Sequence, residues 1–286
     1  EFEQRGVQDD DLAKVKAEME SRFIFGLQSV SGKVSQLAAN QTFTGNPNYI
    51  EQDIKRYASV TKEDVMRVFN RYIKNKHAVI MSVVPNGQLD KIAAKDNFTP
   101  PKREITQQSN TSADQLTLRK AVDNFDRSVI PGAGANKPVS VPQMWQKTLS
   151  NGISVLGTQS IETPTTSLLL KIPAGHYYTN KDKAGLVHIL AQMLNESTTK
   201  RSAEQMSTEL DKLGSSVYIS PGSKYLNVHI NALTKNLDAT LALVEEKLRF
   251  PAFKDDEFSR VKSNAIQGAI NSKKNPSYLA STAYRR

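Results

Sequence analysis

Metal binding or catalysis in this chain has few side chains to draw on. There is no cysteine, which excludes thiol nucleophiles, disulfides and thiolate-bound metals. The histidines are His77, His176, His188 and His229. His188 has the most informative surroundings, the apolar stretch GLVHILAQMLN at residues 185–195. This stretch has a helical period and supports two readings. It is an ordinary core helix, or it is the worn remnant of a metal-binding helix of the H-x-x-E-H kind with His188 at the first ligand position. Glu196, eight residues beyond His188, lies about 12 Å further along a helix axis and is too far to share an ion with it. His176, His188 and His229 could assemble a different metal site, but none has a partner carboxylate at a useful spacing. A loop, a core and a strand-surface histidine are expected instead. No G-x-S-x-G elbow marks a serine nucleophile.

The elements that position these residues must come from 286 residues, enough for two domains or parts of more. With 38% hydrophobic and 23% charged residues, most of the chain should fold. No run of 18 apolar residues is present, so no transmembrane helix is expected. The formal charge of +9 is spread along the chain among acids, without a basic aromatic motif, and describes a solvated surface. A nucleic-acid partner would rest on charge alone. The sequence opens on Glu1 without an apolar leader and closes on Arg285-Arg286; both ends read as cuts, so a fragment of a longer protein is expected.

From Asp9-Asp10-Asp11 the apolar spacing of Leu12, Val15, Met19, Phe23 and Leu27 predicts a long helix, with Gly26 and Gly32 as a kink or a close crossing. Gly45-Asn46-Pro47 is a loop, residues 49–57 a shorter helix, and Thr61 with Asp64 a near capping box for the next. Residues 77–84 predict a central strand, stopped by Pro85-Asn86-Gly87, with partner strands upstream of Glu1. Polar chain follows, with Pro100-Pro101 and little periodicity at residues 116–122. Phe125 and Ile130 are its candidate anchors. Two strands then meet at the hairpin signal Ser150-Asn151-Gly152, and a third strand ends at Pro173-Ala174-Gly175. Asp182-Lys183-Ala184 opens the His188 helix, Ser202 opens the next, and Gly214 closes it. Strands at 216–220 and 225–232 put Leu226, Val228 and Ile230 on one face and His229 on the other. Helices at 237–248 and from Asp255 through Ile270 complete the order, with a further helix after Asn275-Pro276. The order β-β-β-α-α-β-β-α-α predicts an α+β fold: one mostly antiparallel sheet with helices packed on one side.

Several phrases, taken together and in order, resemble the insulinase- or pitrilysin-type zinc peptidases, which include the mitochondrial processing peptidase subunits and the core proteins of the respiratory bc1 complex. They are LSNGISVL, PAGHYYTNKDKAGLVHIL, RSAEQMSTELDKLGSSV and LRFPAFKDDEFSRVK. The earlier SVTKEDVMRVFNRYI and HAVIMSVVPNG resemble the end of a preceding unit. The resemblance implies the C-terminal part of a first unit at residues 1–87, an interdomain linker at 88–142, and the N-terminal domain of a second unit at 143–286.

Active members hold zinc with both histidines of H-x-x-E-H and a distant glutamate, the glutamate inside the motif acting as general base. Carried onto this chain, the first ligand position is His188, the general-base position is Ala191, the second ligand is Gln192 and the third falls near Gly268. Only His188 suits its task. The resemblance therefore implies a degenerate, non-catalytic portion of a zinc endopeptidase, with no metal or cofactor of its own. Zinc and an intact motif would belong to an active half upstream or in a partner subunit. The implied role is chamber closure and binding of an extended peptide or unfolded protein, in the periplasm, without nucleic acid or membrane insertion. The alternative is a structural or assembly protein on the same scaffold, without peptidase activity.

Overall fold

The computed structural model describes residues 2–95 and 141–284, with isolated positions 102, 126, 128–130, 132, 134 and 135 between them. Pro100-Pro101, residues 116–122, Phe125 and Arg285-Arg286 lie outside the described residues, as does most of the expected linker. The chain forms two compact units, one of residues 1–74 and 159–286 and another of residues 75–158.

The larger unit begins with helices α1 (Phe2–Arg5), α2 (Asp9–Gly26), α3 (Val30–Thr44), α4 (Ile50–Ser59) and α5 (Lys62–Tyr72). Three aspartates occupy the first turn of α2, where the exposed amides and the helix dipole favour negative charge. The single long helix expected from the periodicity is broken between α2 and α3. Ser29 caps α3 by accepting from the Gly32 amide (3.0 Å). The reversal is so tight that a Cβ on Gly32 would stand 1.9 Å from the Gly26 carbonyl oxygen. Gly32 is thus the close crossing. At α5, Thr61 and Asp64 complete a reciprocal capping box.

The same unit continues with β3 (Thr165–Ile172), α6 (Leu186–Asn195), α7 (Ala203–Lys212), β4 (Ser216–Pro221), β5 (Leu226–Leu233), α8 (Leu237–Arg249), α9 (Asp255–Ser272) and α10 (Pro276–Tyr284). β5 lies between β3 and β4, antiparallel to both, with Leu170, Val228 and Ile219 in one row. Because strand side chains alternate, Leu226, Val228 and Ile230 face one way together. They form the core with Ile219, with Val187, Ala191 and Leu194 of α6, and with Val244 of α8. Burial of each large aliphatic residue contributes about 1.5–3 kcal/mol. The opposite sheet face is polar: Ser167 donates to Asn231 (2.8 Å), and His229 pairs with Ser220 (3.1 Å) beneath Tyr218.

In the smaller unit, β1 (Met144–Thr148) and β2 (Ser154–Thr158) make an antiparallel hairpin across the Ser150-Asn151-Gly152 turn. Gly152 takes φ +84°, a conformation that favours glycine. Trp145 lies over Gly157, where a Cβ would come within 2.4 Å of the indole.

Three expectations are corrected. Residues 77–84 form no strand; they are irregular, with Val79 fully exposed and Val83 86% exposed. Apolar character alone cannot make a strand, because the backbone needs a neighbouring ladder, and none is present among the described residues. Ile130 is 87% exposed and so is not an anchor among the described residues. The five strands form two sheets, not one. The α+β character stands, with antiparallel pairing throughout and α6 and α8 against the inner sheet face. No described helix is long and apolar enough to cross a membrane.

Candidate functional site

α6 has two working faces. One carries Val187, Ala191 and Leu194 into the core. The other carries His188 and Gln192, four residues apart and so stacked along the axis, with Glu196 just beyond the helix end. The helix does not begin at Asp182-Lys183-Ala184 as expected; a single 3-10 turn occupies residues 181–183, and Gly185, at φ +96°, swings the chain into the first turn of α6.

Opposite this second face stands α9, with Arg260, Asn264, Gly268 and Ser272 at the same four-residue spacing. Between the helices is a cavity of about 530 Å³ lined by His188, Gln192, Asn264, Gly268 and Ser272. Its Glu196 end is clamped where Arg260 donates to Glu196 at 2.6 Å. Small residues on α9 keep the space open. A Cβ built on Gly268 meets nothing within 4 Å, so any side chain there would enter solvent or the groove freely.

The loop leaving α6 is pinned by buried polar groups. Thr198 donates to Glu246 at 2.6 Å, Arg201 pairs with the other carboxylate oxygen, and Ser197 donates to Glu257 at 2.7 Å. Burial alone would raise the Glu246 carboxyl, but the hydrogen bonds from Thr198 and Arg201 outweigh it and hold the group below the ordinary glutamate range. Lys247, 4% exposed, is pushed down by burial against the opposing pull of Glu196 and Glu246, and donates to the Asn195 carbonyl.

Of the four positions singled out in the sequence, His188, Gln192 and Gly268 line one cavity. Ala191 does not; it is fully buried in the core. The groups at hand do not fit zinc. His188 offers one imidazole, Gln192 a neutral amide and Gly268 no side chain, whereas a catalytic zinc needs three nitrogen or carboxylate ligands and an open fourth position. Among the described residues no three histidine or acidic side chains come together as a metal cluster. His229 is on the sheet face away from α6, and His176 is in a short exposed turn, so neither joins His188. Sequence reasoning missed Asn264, Ser272 and the Arg260–Glu196 clamp. The signal was available as the four-residue stripe through Gly268.

Residues 155–286 match the family model described as Insulinase (Peptidase family M16). An uncharacterised zinc protease of Rickettsia felis is 25% identical over 131 residues, which cover 46% of this chain and 32% of that protein. Mitochondrial-processing peptidase subunit alpha-1 of Dictyostelium discoideum is 26% identical over 110 residues, covering 38% of this chain and 17% of that protein. This region has the fold of an insulinase-type M16 peptidase. A crystal structure of a peptidase M16 inactive domain from Pseudomonas fluorescens superposes with a TM-score of 0.45 at 22% identity, covering 48% of this chain and 34% of that one. The chain thus spans about a third or less of the length of these M16 relatives. What residues 155–286 form is an M16 peptidase-related domain whose α6–α9 groove brings His188, Gln192 and Gly268 to one cavity.

Proposed function

We propose that this chain is a non-catalytic portion of a zinc-dependent M16 endopeptidase. In this reading it helps to close a substrate chamber and offers a surface to an extended peptide, while an intact H-x-x-E-H helix in another half of the protein, or in a partner subunit, holds the zinc and performs hydrolysis. Residues 1–87 would end one such unit and residues 143–286 begin another. The observation that carries the reading is the α6–α9 groove. It keeps His188, Gln192 and Gly268 around one cavity, yet offers no carboxylate in its middle. The uncharged donors and acceptors of Gln192, Asn264 and Ser272 suit peptide amides better than a cation.

The test is metal stoichiometry. Purified chain exposed to zinc and then desalted should retain well under one equivalent by elemental analysis, and His188→Ala should leave that amount unchanged. One tightly held zinc per chain, lost on His188→Ala, would overturn the reading.

A further inference from the structure

We propose that Asn195 decides whether the outer edge of β4 can accept an extended peptide, and that it holds this edge shut. The inference is independent of any role in a peptidase, because it concerns only the backbone groups of one strand. β4 pairs with β5 on one side, leaving the other side as a sheet edge. Such an edge presents unpaired amides and carbonyls to any incoming strand. Here the Ile219 amide donates to Asn195 Oδ1 at 3.0 Å, and Asn195 Nδ2 donates to the Ile219 carbonyl at 2.8 Å. One side-chain amide therefore makes both bonds that a residue of a neighbouring strand would make.

The register shows how much of the edge this closes. Since both Ile219 groups point away from β5, Ile219 and Val228 form a non-hydrogen-bonded pair. Outward groups recur every second residue, so the edge consists of Val217, Ile219 and Pro221. Pro221 has no N–H to give. Val217 alone keeps an outward amide and carbonyl without a partner among the described residues. One open residue is too short for strand addition, which draws its affinity from several consecutive main-chain bonds.

Asn195 is fixed in this role from both sides. Its Nδ2 also donates to the Ala191 carbonyl at 2.9 Å within α6, and its own carbonyl accepts from buried Lys247 at 3.1 Å. Ile219 itself is fully buried beneath it. What is excluded is any extended main chain, whatever its side chains, because the contest is for backbone donors and acceptors.

The native protein supplies the first test. By hydrogen-exchange NMR the Ile219 amide should be as protected as the amides of β5; exchange at the rate of an open edge would overturn the proposal. The second uses a fluorescein-labelled peptide of alternating threonine and valine, followed by anisotropy. Native protein should show no saturable binding. Asn195→Ala combined with Pro221→Thr should bind saturably, at least about tenfold more tightly than the detection limit set by native protein, from one or two regained main-chain bonds, with the Ile219 amide resonance shifting on titration. Binding by native protein with a shift at Ile219, or a double variant of native circular dichroism that binds no better, would sink the idea. Should the double variant not fold, Pro221→Thr alone is expected to leave the native absence of binding unchanged, and the exchange measurement decides.

Discussion

Replacing Gln192 by histidine and Gly268 by glutamate should turn the α6–α9 groove into a zinc site. Residue 192 stands one turn beyond His188, about 6 Å along the axis, and both side chains line the same cavity. A Cβ at position 268 meets nothing within 4 Å, so a glutamate has room to enter. Two imidazoles and one carboxylate, with a fourth position open to water, are the ligand count of a catalytic zinc. If the rebuilt site reaches a Kd of about 1 μM, roughly 8 kcal/mol, zinc at about a hundredfold excess over Kd stabilises the folded state by about 2.7 kcal/mol. For a folded region of this size that is a rise in Tm of roughly 5–10 °C. Native protein, with His188 alone, should show no such shift, and each single replacement should fall between. Ala191 is left in place because it is fully buried, so the readout is metal binding and not hydrolysis. The assay is thermal unfolding with zinc and with chelator, supported by cobalt substitution and its tetrahedral absorption bands. A folded double variant that binds neither ion would refute the view that these positions form the frame of a metal site.

Two glycines should respond in opposite directions. Gly32→Ala places a methyl group against the Gly26 backbone and should cost about 2–4 kcal/mol, read from urea midpoints, whereas Gly268→Ala, with open space around it, should gain up to about 1 kcal/mol from helix propensity. Equal effects at the two sites would contradict the contacts described. For Glu246, the folded carboxyl lies below its ordinary range, so the unfolded chain binds more protons there. Its contribution is complete above the ordinary glutamate range and is lost as pH falls through the folded value. Glu246→Gln should therefore destabilise by about 2 kcal/mol at neutral pH and by progressively less as pH falls below the ordinary glutamate range. A gap that stays constant with pH would show that the carboxylate charge is not what pins the loop.

Much of the second region was legible because its signals are local. Asn151-Gly152 needs a positive φ, Ser202 and Gln205 cap one another, and the alternation of Leu226, Val228 and Ile230 specifies a half-buried strand without reference to anything distant. Residues 77–84 misled because a strand is a property of two segments. The apolar run was real, but pairing depends on a partner that composition does not reveal. The groove was half legible for a similar reason. His188 and Gln192 share a helix, so their relation follows from the helical period, while Asn264 and Ser272 join them only through the packing of α9 on α6. Asn195 was invisible. Nothing in its sequence position distinguishes an amide at a helix end from one that bonds a strand 24 residues away.

The two faces of α6 separate the residues that hold the fold from those that line the groove. Stability rests on Val187, Ala191 and Leu194, which meet the sheet, and on the buried ties of Thr198, Glu246 and Lys247. Metal ligands would rest on positions 188, 192 and 268, which face the groove and touch little of the core. A change on the groove face costs little folding energy, because a group beside open solvent loses few packing contacts when it is altered. A change on the core face leaves a cavity or a buried polar group, at several kcal/mol. Ala191 lies wholly on the core face. A methyl group there completes the core, and the same methyl group cannot accept a proton. A carboxylate at position 191 would therefore have to displace core packing, as one at 192 or 268 would not. Introducing ligands on the groove face should consequently be far easier than introducing a carboxylate at position 191.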